Sequence, residues 1–353
     1  MAAHTETGAG REASLDLLRA VAALTVAAGH AHVIPMSYGV TGVWLFFALS
    51  GYLLTGPMLA PAALRPIWIG AYLLRRVARI YPAWLVLIAV LVFFLNDRHL
   101  PNLLDYDAPF SAWFWDHATL RYAESYLWTV KMEMILYFLL PALMLFIVPL
   151  RHRPRLCAGL LLALAVAADV WLTQDVFAVT LSESLTDPLR LSPFLCGMAA
   201  RLVFSSIPLR RYEFSLAPRL LLVALATVPV VLPFCANFIT YRYPVVYGFV
   251  FAAIILLAQI IKGGVWEKLL REPHLARLGL WGYGFYLWHF PLLSVATASL
   301  ATQGIDSVYA ILALNVALTV PLAAASYYGV ERPAIRASRW LTPRYLPKKG
   351  ERE

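Results

Sequence analysis

Charge is the first thing this chain is short of. Asp, Glu, Lys and Arg make up 14% of its 353 residues, against 61% hydrophobic residues and a mean hydropathy of +0.69. Ordinary soluble domains carry about a quarter charged residues, so this composition excludes a soluble globular fold and points to a polytopic membrane protein. Cysteine is equally scarce. Cys157, Cys196 and Cys235 all fall inside apolar runs, with no CxxC or Cys/His spacing. A disulfide framework and a zinc site are excluded, no metal is implied, and the thiols are expected to be packing residues. Strand-type alternation is missing, which removes a transmembrane barrel. Interleaving of Lys and Arg with aromatics is missing too, which removes nucleic acid as a partner. No fixed-period repeat, low-complexity block or appended soluble domain interrupts the chain. Residues 1–353 are therefore expected to form a single integral membrane domain, with a short polar N-terminal segment (1–13) and a basic C-terminal tail (331–353).

What is present is a series of apolar runs of about 20 residues, the length that crosses a hydrocarbon core as a helix. Ten are expected, at about 16–34, 39–59, 76–95, 130–149, 156–173, 189–206, 219–236, 243–261, 279–299 and 307–329. The expected fold class is an all-α transmembrane bundle embedded in the cell membrane. Lys and Arg near span ends are retained in the cytoplasm. One set of alternate segments carries Arg65, Arg75, Arg76 and Arg79, then Arg151, Arg153 and Arg155, and ends in a tail holding Arg332, Arg336 and Arg339. The opposite set is acidic, with Asp97, Asp105, Asp107, Asp116, Glu124, Asp175, Glu183, Asp187 and Asp306. Both termini are accordingly expected in the cytoplasm, which requires an even number of spans and agrees with ten. Topogenic loops and attraction to anionic lipid account for the formal charge of +9. The first apolar run contains Arg19, so it reads as a retained span and not a cleaved signal peptide. The sizeable external connection, about 96–129, is rich in Asp and Trp (Trp113, Trp115, Trp128) and reads as a lid or an interfacial belt.

Ionisable side chains inside the spans are costly when unpaired, so each marks a site or a buried pair. "SLDLLRAVAALTVAAGHAH" holds Asp16, Arg19 and His30. Eleven residues separate Arg19 from His30, about three full turns, so both project from one face about 16 Å apart. Asp16 falls on the same stripe. Its alternative reading is a helix-start carboxylate beside Arg19. "AYLLRRVARIYP" places Arg75, Arg76 and Arg79 on a cationic face. Three Arg in five residues exceed what topology requires, and their guanidinium forks suit a ligand with several phosphates. "ESYLWTVKMEMILYFLLP" sets Lys131 and Glu133 two apart, off each other's face, so the partner of Glu133 is expected on another helix. "WGYGFYLWHFP" puts Tyr283, Tyr286 and His289 at three-residue steps, either an aromatic belt or the wall of a substrate cavity.

Taken together these segments resemble the acyltransferase 3 family of membrane O-acyltransferases, which modify sugars of surface polysaccharides, glycolipids and some secondary metabolites. "LDLLRAVAALTVAAGH" is similar to the family's opening signature, a basic residue followed after ten others by His, here Arg19 and His30. "FFALSGYLLT" is similar to its FFxLSGxL pattern and "RRVARIYP" to its RxxR element, Arg76 and Arg79. "WTVKMEMILYFLLP" sets Glu133 at the family glutamate, and "LRLSPFLCGM", "GYGFYLWHFP" and "VERP" follow in order. The sequence departs from the pattern at Met134 and Ile135, where acidic and polar residues are usual. A C-terminal hydrolase-like domain found in many relatives has no counterpart in these residues, so the chemistry is expected within the spans.

The resemblance implies acyl transfer with His30 as general base, the side chain best matched to taking a hydroxyl proton near neutral pH. The donor would be cytosolic acyl-CoA, in first place acetyl-CoA, as co-substrate and with no bound cofactor. Arg19, Arg75, Arg76 and Arg79 are assigned to that donor. Glu133 would orient His30 or bind the acceptor, a sugar-containing or glycolipid molecule also contacted by Asp16, Trp128, Tyr286 and His289. Ser50 reads as structural, and direct transfer needs no acyl-serine. A proton-coupled transporter or flippase of a glycolipid or polysaccharide unit is the alternative. Its expected companion, a Gly/Pro-broken helix repeated in two halves, is not found.

Overall fold

The computed structural model describes residues 3–96, 110–121, 123, 125–174, 190–206, 212, 214–263, 265, 267–268 and 272–342. All regular structure among them is helical, as expected. In chain order the helices are α1 (Ala3–His30), α2 (Met36–Met58), α3 (Pro66–Asn96), α4 (Phe110–Ala118), α5 (Trp128–Ile147), α6 (Pro154–Gln174) and α7 (Ser192–Ser206). Then follow α8 (Leu216–Cys235), α9 (Asn237–Arg242), α10 (Pro244–Ile260), α11 (Pro273–Leu280), α12 (Gly282–Ala301), α13 (Val308–Ser326) and α14 (Arg332–Leu341). A π segment, Tyr327–Glu331, joins the last two without a break. Most of the expected acidic connections, including Asp97, Asp105, Asp107, Glu124, Asp175, Glu183 and Asp187, lie outside the described residues.

A helix stands at each of the ten expected spans, but five are long and apolar enough to cross a bilayer. These are Met36–Met58, Trp128–Ile147, Pro154–Trp171, Leu216–Cys235 and the run Val308–Leu341. Among the described residues, length and composition alone thus support five of the ten, and the shortfall has physical causes. α1 and α3 carry Asp16, Arg19, Arg75, Arg76 and Arg79, while α12 is rich in Tyr, Trp, His and Gly. α7 has 15 residues and α10 has 17, about 22 and 26 Å of helix against a core about 30 Å thick. Helices buried among others need not be greasy all round. Those facing outward are: α6 and α8 expose Leu160, Trp171, Leu220, Val230 and Phe234, an apolar surface that only lipid covers without cost. The chain is a multi-pass membrane protein.

α2 is the central element, packed against α1, α7 and α10, with α7 in turn against α6 and α10. Two glycines let α2 and α7 touch backbone to backbone. A Cβ on Gly51 would lie 2.0 Å from the carbonyl oxygen of Phe194, and one on Gly197 would lie 1.9 Å from that of Ala48. Membrane helices associate by such close approach, lacking a hydrophobic drive between them. Trp44, Trp84, Tyr52, Phe194 and Leu49 fill the interior beside this contact, each under 2% exposed. On the other side α12 packs on α13, α11 on α1, and α14 folds back onto α3. Cys157 and Cys196 are buried as expected, whereas Cys235, at the end of α8, is exposed.

Candidate active site

Helix α1 ends in a tight cap that fixes where His30 points. His32 takes a positive φ of 56°, a conformation in which His is tolerated more than most residues. The N–H of His32 donates to the carbonyl of Gly29 (3.1 Å) and that of Val33 to Ala28 (3.0 Å), the pattern of a Schellman motif. Pro35 follows and prevents continuation. His30 is therefore the last helical residue of α1, held rigidly on the terminal turn.

Its ring meets the ring of His289 on α12, with Nδ1 of His30 3.1 Å from Nε2 of His289. Nδ1 of His289 lies 2.6 Å from the carbonyl oxygen of Tyr286. Asn315 on α13 donates from Nδ2 to the carbonyl of His289 at 2.7 Å, fixing that turn. A carbonyl accepts and never donates. In the neutral pair, Nδ1 of His289 therefore carries the proton and its Nε2 accepts from Nδ1–H of His30, whose ring also reaches the backbone carbonyl of Val26 one turn back. Tyr126 and Phe290 flank the His30 ring edge-on, with centroids 6.4 and 5.1 Å away. His289 is buried and His30 is half-buried.

Between α1, α2, α3, α5 and α12 lies a narrow chamber. Arg19, Arg76 and Arg79 supply its positive charge, and Glu133 is its carboxylate. The guanidinium of Arg76 sits over the rings of Tyr72 and Tyr137, 5.8 and 5.9 Å from their centroids. Tyr137 donates its hydroxyl proton to Oε1 of Glu133, one turn away on the same helix. Phe46, Phe47, Leu53 and Val130 make the apolar wall. Tyr286 closes the far end, its hydroxyl donating to the carbonyl of Tyr126 at 2.5 Å. His30 does not line the chamber; it stands beyond Tyr286, whose carbonyl holds His289.

A second, roomier cavity shares Arg19, Arg79 and Leu53 with the first. Arg332, Arg336 and Arg339 of α14 line it as well, with Asp16 as its carboxylate. Arg19 pairs with Asp16 at 2.5 Å. Close packing holds the two cavities at this junction, for a Cβ on Gly279 would lie 1.8 Å from the carbonyl of Asp16.

The residues singled out in the sequence are thus distributed as follows. Arg19, Arg76, Arg79, Glu133 and Tyr286 line the chamber, Asp16 lines the second cavity, and His289 faces His30. Arg75 lies outside both linings. Trp128 is buried in the core, its ring 6.1 Å from those of Trp44 and Phe47, and lines neither cavity. The partner of Glu133 is local, at i+4, and not on another helix; Lys131 instead donates to the carbonyl of Arg121 at 3.1 Å. Ser50 faces the chamber. Sequence reasoning missed the three arginines of α14, taken as topogenic, although their i, i+4, i+7 spacing puts them on one helical face. Of the external lid or belt, Trp113 is buried and stacked on His117, centroids 4.0 Å apart, and Trp115 is exposed.

Comparison with known proteins adds an independent line. A family model described as an acyltransferase domain matches residues 12–327. A peptidoglycan O-acetyltransferase of Listeria monocytogenes is 29% identical over 359 residues, covering 91% of this chain and 55% of its own length. A Bacillus subtilis protein, whose name assigns the same activity provisionally, is 29% identical, covering 90% of this chain and 54% of its own. The chain therefore spans about half the length of these curated relatives. No solved structure matches it.

Proposed function

Since the chain belongs to the acyltransferase 3 family, we propose that it is a membrane O-acetyltransferase, moving an acetyl group from cytosolic acetyl-CoA to a sugar hydroxyl. The relatives' names favour a cell-wall sugar as acceptor. In this reading both termini and the arginine-bearing cavities face the cytoplasm, and the helices at the ten apolar runs all lie in the cell membrane.

Phosphate groups of the donor engage Arg79 and Arg76, whose planar forks bind phosphate in a bidentate way. The pantetheine arm extends along Phe46, Phe47 and Val130, and the thioester arrives at Tyr286. The oxygen of Glu133 that Tyr137 does not occupy accepts an N–H or O–H of the bound substrate. On the far side of Tyr286, Nε2 of His30 takes the proton of the acceptor hydroxyl. The hydroxyl oxygen attacks the thioester carbonyl, the new C–O bond forms, the C–S bond breaks, and the imidazolium returns the proton to the departing thiolate. His289 keeps His30 in the tautomer that exposes a lone pair, as the third member of a catalytic group does elsewhere. The rings of Tyr286 and Phe46, centroids 6.2 Å apart, must part for the thioester to reach that lone pair.

One observation carries this reading. Arg19 and Arg79 belong to both cavities, so the second cavity adjoins the chamber that Tyr286, the residue holding the histidine pair, also lines. The test is release of free thiol from acetyl-CoA by purified protein in neutral-lipid nanodiscs. Release is expected only when a muramyl disaccharide acceptor is added, with one acetyl gained per thiol. Uptake of sugar or proton without thiol release would establish a carrier instead.

A further inference from the structure

We propose that α14 completes the donor site, with Arg332, Arg336 and Arg339 gripping the phosphates of the coenzyme's nucleotide head. This rests on the reading of acyl-CoA as donor and adds residues that no feature of the sequence assigned to it. The three arginines recur at i, i+4 and i+7, one face of one helix, and that face lines the second cavity. Like charges at this spacing repel one another. They are also brought toward α3, against which α14 packs, and there Arg339 repels Arg75. Such an arrangement is stable when an anion lies between the cations.

The carboxylates of the described residues supply that anion only in part. Asp16 is engaged by Arg19 and Glu331 acts on Arg79, and none lies within salt-bridge distance of Arg332, Arg336 or Arg339. The orientation of the face is fixed by its mounting. The π segment Tyr327–Glu331 changes the helical phase between α13 and α14. Glu331, 3% exposed, accepts from Ser326 at 3.2 Å and anchors it. Five guanidiniums set against Asp16 in the lining and Glu331 beside Arg79 leave a net charge of about plus three. A diphosphate together with a phosphomonoester, the latter about −1.5 to −2 at neutral pH, supplies a matching charge. That combination is the nucleotide head of coenzyme A. Anionic lipid headgroups share the phosphate chemistry and are separated by the test.

The experiment measures binding of coenzyme A, dephospho-coenzyme A and pantetheine by calorimetry. It compares wild type with R336Q/R339Q in phosphatidylcholine nanodiscs. The variant is expected to bind coenzyme A at least tenfold more weakly and pantetheine equally well. The KM for acetyl-CoA should rise by a similar factor, with a much smaller change in kcat. R336K/R339K, which keeps point charges without forks, should fall between the two and carries the test should the glutamine pair not fold. Equal coenzyme A affinity in wild type and both variants overturns the proposal while leaving the donor reading intact. A difference that appears only in discs containing phosphatidylglycerol assigns the face to lipid and also overturns it. Wild type that binds neither coenzyme A nor acetyl-CoA overturns the donor reading itself.

Discussion

Nε2 of His289 lies 3.1 Å from Nδ1 of His30, joining the last turn of α1 to a helix 259 positions later in the chain. The contact commits Nδ1 of His30, because the other end of His289 is committed to a carbonyl. In the proposed transfer, a pair of imidazoles wired in this way would serve as an oriented base.

His289→Gln should lower kcat by about 10²-fold, since a misoriented or wrong-tautomer imidazole forfeits much of a general base's contribution. Its KM for acetyl-CoA should change less than twofold. Steady-state kinetics separates these, and a loss confined to KM would place His289 in donor binding.

Arg79→Gln should raise the KM for acetyl-CoA by about 10- to 100-fold, the equivalent of a charge-assisted hydrogen bond of about 1.5–3 kcal/mol. Arg76→Gln should raise it less, because that guanidinium also rests on Tyr72 and Tyr137. Pantetheine-thioester substrates lacking the nucleotide should be handled alike by wild type and both variants. The comparison of the two donors checks the assignment.

Tyr286→Phe removes the hydroxyl that ties the ring to the carbonyl of Tyr126 and leaves its apolar face in place. A loosened partition should admit water to the thioester. Acceptor-independent hydrolysis of acetyl-CoA should rise severalfold while transfer to the sugar falls, and assays of free thiol with and without acceptor measure the split.

Much of this was legible along the chain, and the limit is physical. Periodicity and length located a helix at each apolar run, and the stripe of Arg19 and His30 on α1 gave the axis of the site. Arg76 and Arg79 do line a chamber, whereas Arg75, beside them in sequence, lies outside both cavities. Partners distant in sequence were not legible. His289 was read as cavity lining, since nothing local tells that α12 crosses the end of α1. The arginines of α14 looked like any basic tail until the π segment turned them back onto α3. Trp128 looked like an interfacial residue, whereas packing against Trp44 and Phe47 draws its large apolar surface into the core.

The glycines of two motifs yield to the same physics. Gly51→Ala or Gly197→Ala puts a methyl group about 2 Å from a carbonyl oxygen of the facing helix, which forces α2 and α7 apart. Either change should cost several kcal/mol, on the order of 3 or more, as strained cores and lost helix contacts do. Thermal unfolding in detergent should shift down by many degrees, and Gly159→Ala, where a methyl meets nothing within 4 Å, should leave it unchanged.

Transfer of a labelled acetyl group from acetyl-CoA to a muramyl disaccharide, measured with His30→Ala, is the sharpest test. Wild type should label the sugar, and His30→Ala, inserted and folded as judged by unchanged coenzyme A binding, should lose at least 10²-fold in kcat. Labelling at the wild-type rate by that variant would show that the proton is taken elsewhere and would contradict the mechanism.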